Sequence, residues 1–265
     1  MIDKIGLERY CDNYNIPEKH LLDIINDLKV IPMIRGKGFE FFVSDKLKKI
    51  LNKHVWEVSN PLMNAQPGTR DIDFKVINTK TNEITRIECK LAKNNSIKSD
   101  LNIKFQVKCM RSRAIGHKEV ATRVAKEYGI NTQDVLEHAD QYREDDFDLI
   151  ATSLDNAFWS SDSNGRYIFN YKKPYAEKLS QMFPKLFKEP YNPQEFKKSS
   201  ANFILIARSK DIKVSKENKI ICRRRDCRNK ENCGFIPNYP IINLNEVAEG
   251  SSPWINILEI EKLLN

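Results

Sequence analysis

No apolar run in this 265-residue chain approaches the length needed to span a bilayer. Its first residues also lack the apolar core of a signal peptide. Both absences predict a soluble, cytoplasmic protein with no membrane partner. Cysteine is sparse. Six residues over this length do not demand a disulfide framework, and a reducing interior disfavours one. There is no internal repeat and no low-complexity linker, which excludes a solenoid and points to one main body with at most an appended module.

Charge, by contrast, is plentiful and unequal. Forty-four lysines and arginines face 36 acidic residues, for a formal charge of +8 and a pI near 9.0. That balance suits a polyanionic partner, although an acidic substrate would leave the same mark. The length is enough to bury a substantial core, as one large domain or two smaller ones.

The most informative stretch runs from Asp71 to Lys90. Ile72, Phe74 and Val76 alternate with Asp71, Asp73 and Lys75; later, Ile87, Cys89 and Leu91 alternate with Arg86, Glu88 and Lys90. Period-two alternation predicts two strands, and the polar residues 78–83 are turn chemistry that could join them as a hairpin. Residues two apart in a strand share a face, so Glu88 and Lys90 project together, as do Asp71 and Asp73. Paired strands would bring carboxylates and one ammonium onto a small patch. Carboxylate oxygens are hard ligands suited to Mg²⁺, and the Cys89 backbone carbonyl could complete the shell. A metal held there would polarise a phosphate and acidify a bound water, while Lys90 could orient or deprotonate that water and stabilise developing charge. The Cys89 side chain is expected on the opposite face as a small apolar group.

At these residues the chain resembles the PD-(D/E)xK nuclease superfamily, which includes most type II restriction endonucleases. The motif is an Asp at the start of one strand and (Asp/Glu)-x-Lys on the next; here it reads Asp71, sixteen residues, then Glu88-Cys89-Lys90. Arg70 stands where the motif has proline, with Pro67 further back, which leaves Asp71 and Asp73 competing as the metal ligand. The glycine-led approach Gly68-Thr69-Arg70 favours Asp71. The resemblance implies an α/β (α+β) fold with a mixed central sheet flanked by helices, a restriction endonuclease-like core. It also implies a Mg²⁺-dependent endonuclease acting on double-stranded DNA, with catalytic residues Asp71, Glu88 and Lys90. In that superfamily an upstream helix often adds an acidic residue; Glu57 is the first candidate and Glu40 a weaker one.

Two domains are expected. Residues 1–52 read as two helices, over residues 5–11 and 17–29, then a hairpin over residues 30–43 and a basic helix from Asp45 capped by Ser44. The hairpin's glycine-rich tip carries Lys37. Helix, helix, hairpin resembles a winged helix-turn-helix, a module that would place a helix in the major groove and its wing on phosphates. Residues 53–265 would form the nuclease domain.

Within it, residues 101–113 carry Lys104, Gln106, Lys108, Arg111 and Arg113, readable as a strand or a helix, and are the best candidates for DNA contact beside the active site. Helices are expected from His117 and from Asp134, with Thr132 as a cap, and buried strands over residues 147–154 and 202–208. An aromatic hairpin should turn at Asn164-Gly165, followed by a helix over residues 175–187 unless Pro184 ends it early. A last strand over residues 241–244 and a short helix over residues 254–264 complete the series. Cys222, Cys227 and Cys233 cluster in a basic loop and could hold a structural Zn²⁺, but the intervals are loose and the fourth ligand is not evident. Arg223 and Arg224 of that loop are further DNA-contact candidates. His20 and His138 read more simply as surface or core histidines.

A structure-specific or repair nuclease could use the same centre, and a non-catalytic winged-helix regulator would explain the charge. A homodimer would suit a symmetric site, and dependence on base methylation would suit a separate reader module.

Overall fold

The computed structural model describes residues 4–60, 72–99, 102–111 and 114–264. Three helices come first: α1 (Lys4–Asn13), α2 (Leu21–Ile25) and the long α3 (Ile31–Ile50). They lead into β1 (Trp56–Ser59), β2 (Phe74–Asn78) and β3 (Ile84–Cys89), then β4 (Lys98–Ser99) and β5 (Ile103–Gln106). Helices α4 (Lys118–Tyr128) and α5 (Thr132–Glu137) precede β6 (Leu149–Ser153), β7 (Trp159–Ser161) and β8 (Tyr167–Phe169). After α6 (Lys173–Met182) and α7 (Pro193–Asn202) come β9 (Ile204–Arg208), α8 (Ser209–Ile212), β10 (Ile241–Asn243), α9 (Leu244–Glu249) and β11 (Ile255–Asn256). A 3₁₀ segment, Ile257–Lys262, follows. No helix among the described residues is long and apolar enough to cross a membrane.

The main sheet has six strands in the order β1-β2-β3-β6-β9-β11. Strands β1, β2 and β3 form an antiparallel meander, with Phe74 opposite Ile87 and Val76 opposite Thr85. The turn joining β2 to β3 uses Asn82 at φ 60°, a left-handed conformation that asparagine tolerates. β6 then pairs parallel with β3, which requires a crossover, and the chain supplies it through β4, β5, α4 and α5. β9 and β11 add on antiparallel. A smaller antiparallel sheet orders β10-β5-β4, and β7 pairs with β8 as the expected aromatic hairpin.

The pleat divides the core. Phe74, Val76, Ile87, Cys89, Leu149, Ala151, Ile204 and Ile206 pack with Phe39, Val43 and Leu47 of α3 and with Ile257 and Ile260. Their neighbours Ile150, Leu205 and Ala207 belong to the other layer, with Phe105, Phe158, Phe196 and Trp254. β6 is buried at every position, as its apolar sequence predicts for a central strand.

The N-terminal region departs most from expectation. Residues 31–50 form one helix, so the hairpin wing over 30–43 is absent and Ser44 lies buried inside α3 rather than capping a new helix. The reason is visible in the spacing: Phe39, Val43 and Leu47 recur every four residues, a helical stripe that the sheet covers. Gly36 and Gly38 adopt no positive φ, so neither serves as a turn residue. The helix expected over 17–29 shortens to a 3₁₀ turn and α2; of its apolar stripe only Leu21 is buried.

Elsewhere the differences are smaller. Residues 103–106 are a strand, which resolves the strand-or-helix ambiguity. Asn131 rather than Thr132 caps α5, its side chain accepting from the Gln133 N–H. α6 stops before Pro184, and α7 begins at Pro193 under an Asn192 cap that the sequence reading missed. Residues 254–264 hold β11 and a 3₁₀ segment rather than a helix.

Candidate active site and metal cluster

The register of β2 on β3 carries Asp73, which precedes β2, to the end of β3. Its Oδ2 accepts the Cys89 N–H at 2.7 Å. Glu88 is only 3 % exposed, a burial that a carboxylate tolerates when partnered. The Tyr142 hydroxyl donates to Glu88 Oε1 at 3.1 Å, and Lys90 Nζ forms an ion pair with the same oxygen. Strand periodicity makes the Glu88–Lys90 contact, as the sequence predicts; Tyr142 comes from 54 residues away and left no signal in sequence.

Crowding of carboxylates dominates the electrostatics. Burial first, then the charges of Glu88 and of Glu40 on α3, push the Asp73 carboxyl up to about 8, against the Cys89 N–H and Lys90, which favour its ionised form. For Lys90, burial opposes the charge, yet Glu88, Tyr142 and Asp73 together hold the ammonium well above its ordinary range. Burial, then Glu88, raises the Tyr142 phenol well above its usual value and keeps it a donor. Cys89 lies in the apolar layer, as expected, and burial pushes its thiol well up.

Asp71 lies outside the described residues; of the two competing aspartates, Asp73 is the one seen beside Glu88. Of the two upstream acidic candidates, Glu40 on α3 pairs with Lys37 and its charge acts on Asp73, whereas Glu57 is exposed on β1.

The candidate DNA-contact residues separate into two groups. Lys104 and Lys108 are exposed, and Lys104 pairs across strands with exposed Lys98. Arg223 is exposed and, with half-buried Gln106 and Arg224, lines a cavity of about 810 Å³ that Gln141 and Tyr239 also border. Arg111, by contrast, is committed internally: it pairs with Asp146 at 2.5 Å and donates to the Gln141 carbonyl and the Tyr128 hydroxyl. Lys37 sits on α3 in an ion pair with Glu40 rather than on a wing tip. Arg113 lies outside the described residues. His20 is a surface residue 3.5 Å from Asp23.

Cys222, Cys227 and Cys233 do come together, and His138 joins them. One ligand atom from each lies within 4.8 Å of every other, an arrangement that could hold a metal ion such as zinc. The reading of His138 as a simple core histidine missed this, because the ring is 84 residues from Cys222.

No protein family, no curated protein and no solved structure matches the chain.

Proposed function

We propose that this protein is a Mg²⁺-dependent endonuclease of double-stranded DNA, with the chemistry of type II restriction enzymes. The observation that carries the reading is the convergence of Asp73, Glu88 and Lys90 at the ends of two paired strands. A mixed sheet flanked by helices agrees with the restriction endonuclease-like core that the motif implies.

The residues present fit a hard divalent cation. Asp73 and Glu88 offer only oxygen donors, and the crowding that raises Asp73 is what a cation would relieve. Asp73, Glu88 and the Cys89 carbonyl would hold it, with Asp71 a further candidate. When bound, Mg²⁺ would supply Lewis acidity to a phosphate oxygen and to a water.

Lys90 stays an ammonium, so it serves as a hydrogen-bond donor and a positive charge beside the reacting phosphate rather than as a neutral base. Tyr142 fixes the Glu88 carboxylate by donating to Oε1. The basic face supports a polyanionic substrate: Lys98 and Lys104 lie directly opposite each other, a like-charge pairing that costs stability unless an anion covers it. The winged-helix regulator loses its wing to α3, so the catalytic reading is preferred.

The test is Lys90→Ala assayed with Mg²⁺ on plasmid DNA. Cleavage should fall by at least about 10²-fold; wild-type cleavage would remove the mechanism. Methylated and unmethylated plasmid, branched DNA and single strands, digested side by side, would separate a restriction enzyme from a repair or structure-specific nuclease and reveal any methylation requirement.

A further inference from the structure

We infer that His138, Cys222, Cys227 and Cys233 form a closed structural Zn²⁺ site that clamps the basic segment 213–236 to the end of α5. Four observations converge. First, the ligand set is complete: three sulfurs and one imidazole nitrogen, all mutually within 4.8 Å. Second, the spacing suits tetrahedral zinc. Bond lengths of about 2.3 Å to sulfur and 2.0–2.1 Å to nitrogen imply a sulfur–nitrogen edge of roughly 3.6 Å. Cys222 Sγ and His138 Nε2 are 3.5 Å apart.

Third, the imidazole is set to present Nε2. Its Nδ1 lies 2.8 Å from the Asp134 carbonyl, an acceptor only, so Nδ1 carries the proton and Nε2 keeps a lone pair aimed at the sulfurs. Phe235 stacks on the ring with centroids 4.2 Å apart and planes 7° apart, which fixes its rotation. Fourth, the Arg224 N–H donates to Cys222 Sγ at 3.5 Å, a backbone contact that holds this sulfur in place. No disulfide joins these cysteines.

The site has a mechanical consequence. With all four positions filled by protein, the ion has no open place for substrate, so its role is structural. The segment it holds pairs with the chain after α5: the Ile236 N–H donates to the Tyr142 carbonyl at 2.7 Å, and Arg143 bridges Phe235. Zinc would therefore secure the backbone of Tyr142, whose hydroxyl orients Glu88, and would frame the cavity lined by Cys222, Arg223 and Arg224.

On binding, the three thiols release their protons to solvent and no redox partner is needed. The full chain, purified under reducing conditions without added metal, should carry one zinc per chain by elemental mass spectrometry. Replacing zinc with Co²⁺ should produce thiolate-to-cobalt charge transfer and the visible bands of a tetrahedral ion. His138→Ala and Cys227→Ser should lower the zinc content, while Cys11→Ser should keep it. Zinc-depleted protein should be cut by trypsin within 213–236 faster than loaded protein.

Reduced wild-type protein that holds no zinc and yields no tetrahedral cobalt spectrum would overturn the site, even if the variants fail to fold. Equal trypsin rates would overturn the clamp. Metal content is read without DNA cleavage, so failure here is distinct from failure of the nuclease reading.

Discussion

The two candidate metal centres are built on opposite plans. The carboxylate centre draws on residues close in sequence, Asp73, Glu88 and Lys90, presented by two strands already paired by a short turn. The Cys₃His centre draws on a helix end and on an irregular segment far along the chain. The first crowds like charges and holds its Asp73 carboxyl far from an ordinary value, as functional sites tend to do. The second has its histidine tautomer fixed by the Asp134 carbonyl and one sulfur, that of Cys222, held by the Arg224 N–H. On the proposed reading, the contrast separates a centre that would do chemistry from one that would hold the fold.

The comparison breaks most easily at Glu88. Glu88→Gln keeps the shape and removes the charge, so cleavage should fall by at least about 10²-fold while zinc content stays unchanged. Cleavage near the wild-type rate would remove Glu88 from the chemistry, and a simultaneous loss of zinc would show that the two centres are coupled. Cys227→Ser is the reciprocal experiment. It should release zinc and lower the melting temperature by on the order of 5 °C or more, since losing a structural metal forfeits folding free energy. An unshifted melting curve would deprive the second centre of its structural role.

Proton and metal should compete at the first centre. The Asp73 carboxyl sits at about 8 against an ordinary 3.8, so over that interval the folded protein binds a proton that the unfolded chain does not. Its contribution to stability is therefore full below about pH 4 and is lost as pH rises towards 8. A divalent cation replaces that proton. The increase in melting temperature on adding Mg²⁺ should be larger at pH 8 than at pH 6; an increase that shrinks with pH would remove the cation from this carboxyl.

How much could be read in advance follows the same division. Alternation exposed β2 and β3 and put Glu88 beside Lys90, and unbroken apolar runs exposed β6 and β9, because these signals span only a few residues. His138 and Tyr142 were silent, because their roles depend on the chain returning after long intervals. The glycine-led approach favours Asp71, which lies outside the described residues; the pairing of β2 with β3 puts Asp73 beside Glu88. In α3 two local signals conflicted. Val30–Ile34 and Phe39–Val43 flank Gly36-Lys37-Gly38 in a way that imitates a hairpin, while the four-residue stripe Phe39, Val43, Leu47 encodes a helix. Burial against the sheet decided the outcome.

That conflict supplies the smallest and most discriminating test, and it bears on the first centre because α3 carries Glu40 towards Asp73. A Cβ added at Gly36 or Gly38 would meet nothing within 4 Å, and neither residue has a positive φ. In a helix, replacing glycine by alanine reduces the entropy of the unfolded chain without strain, so Gly36→Ala and Gly38→Ala should each stabilise the protein by about 0.5–1 kcal/mol. In a hairpin tip with left-handed glycines the same changes would destabilise it by more than that. Denaturant titration of the two variants therefore reads the sign directly. Destabilisation by both would restore the wing and withdraw Glu40 from the carboxylate centre.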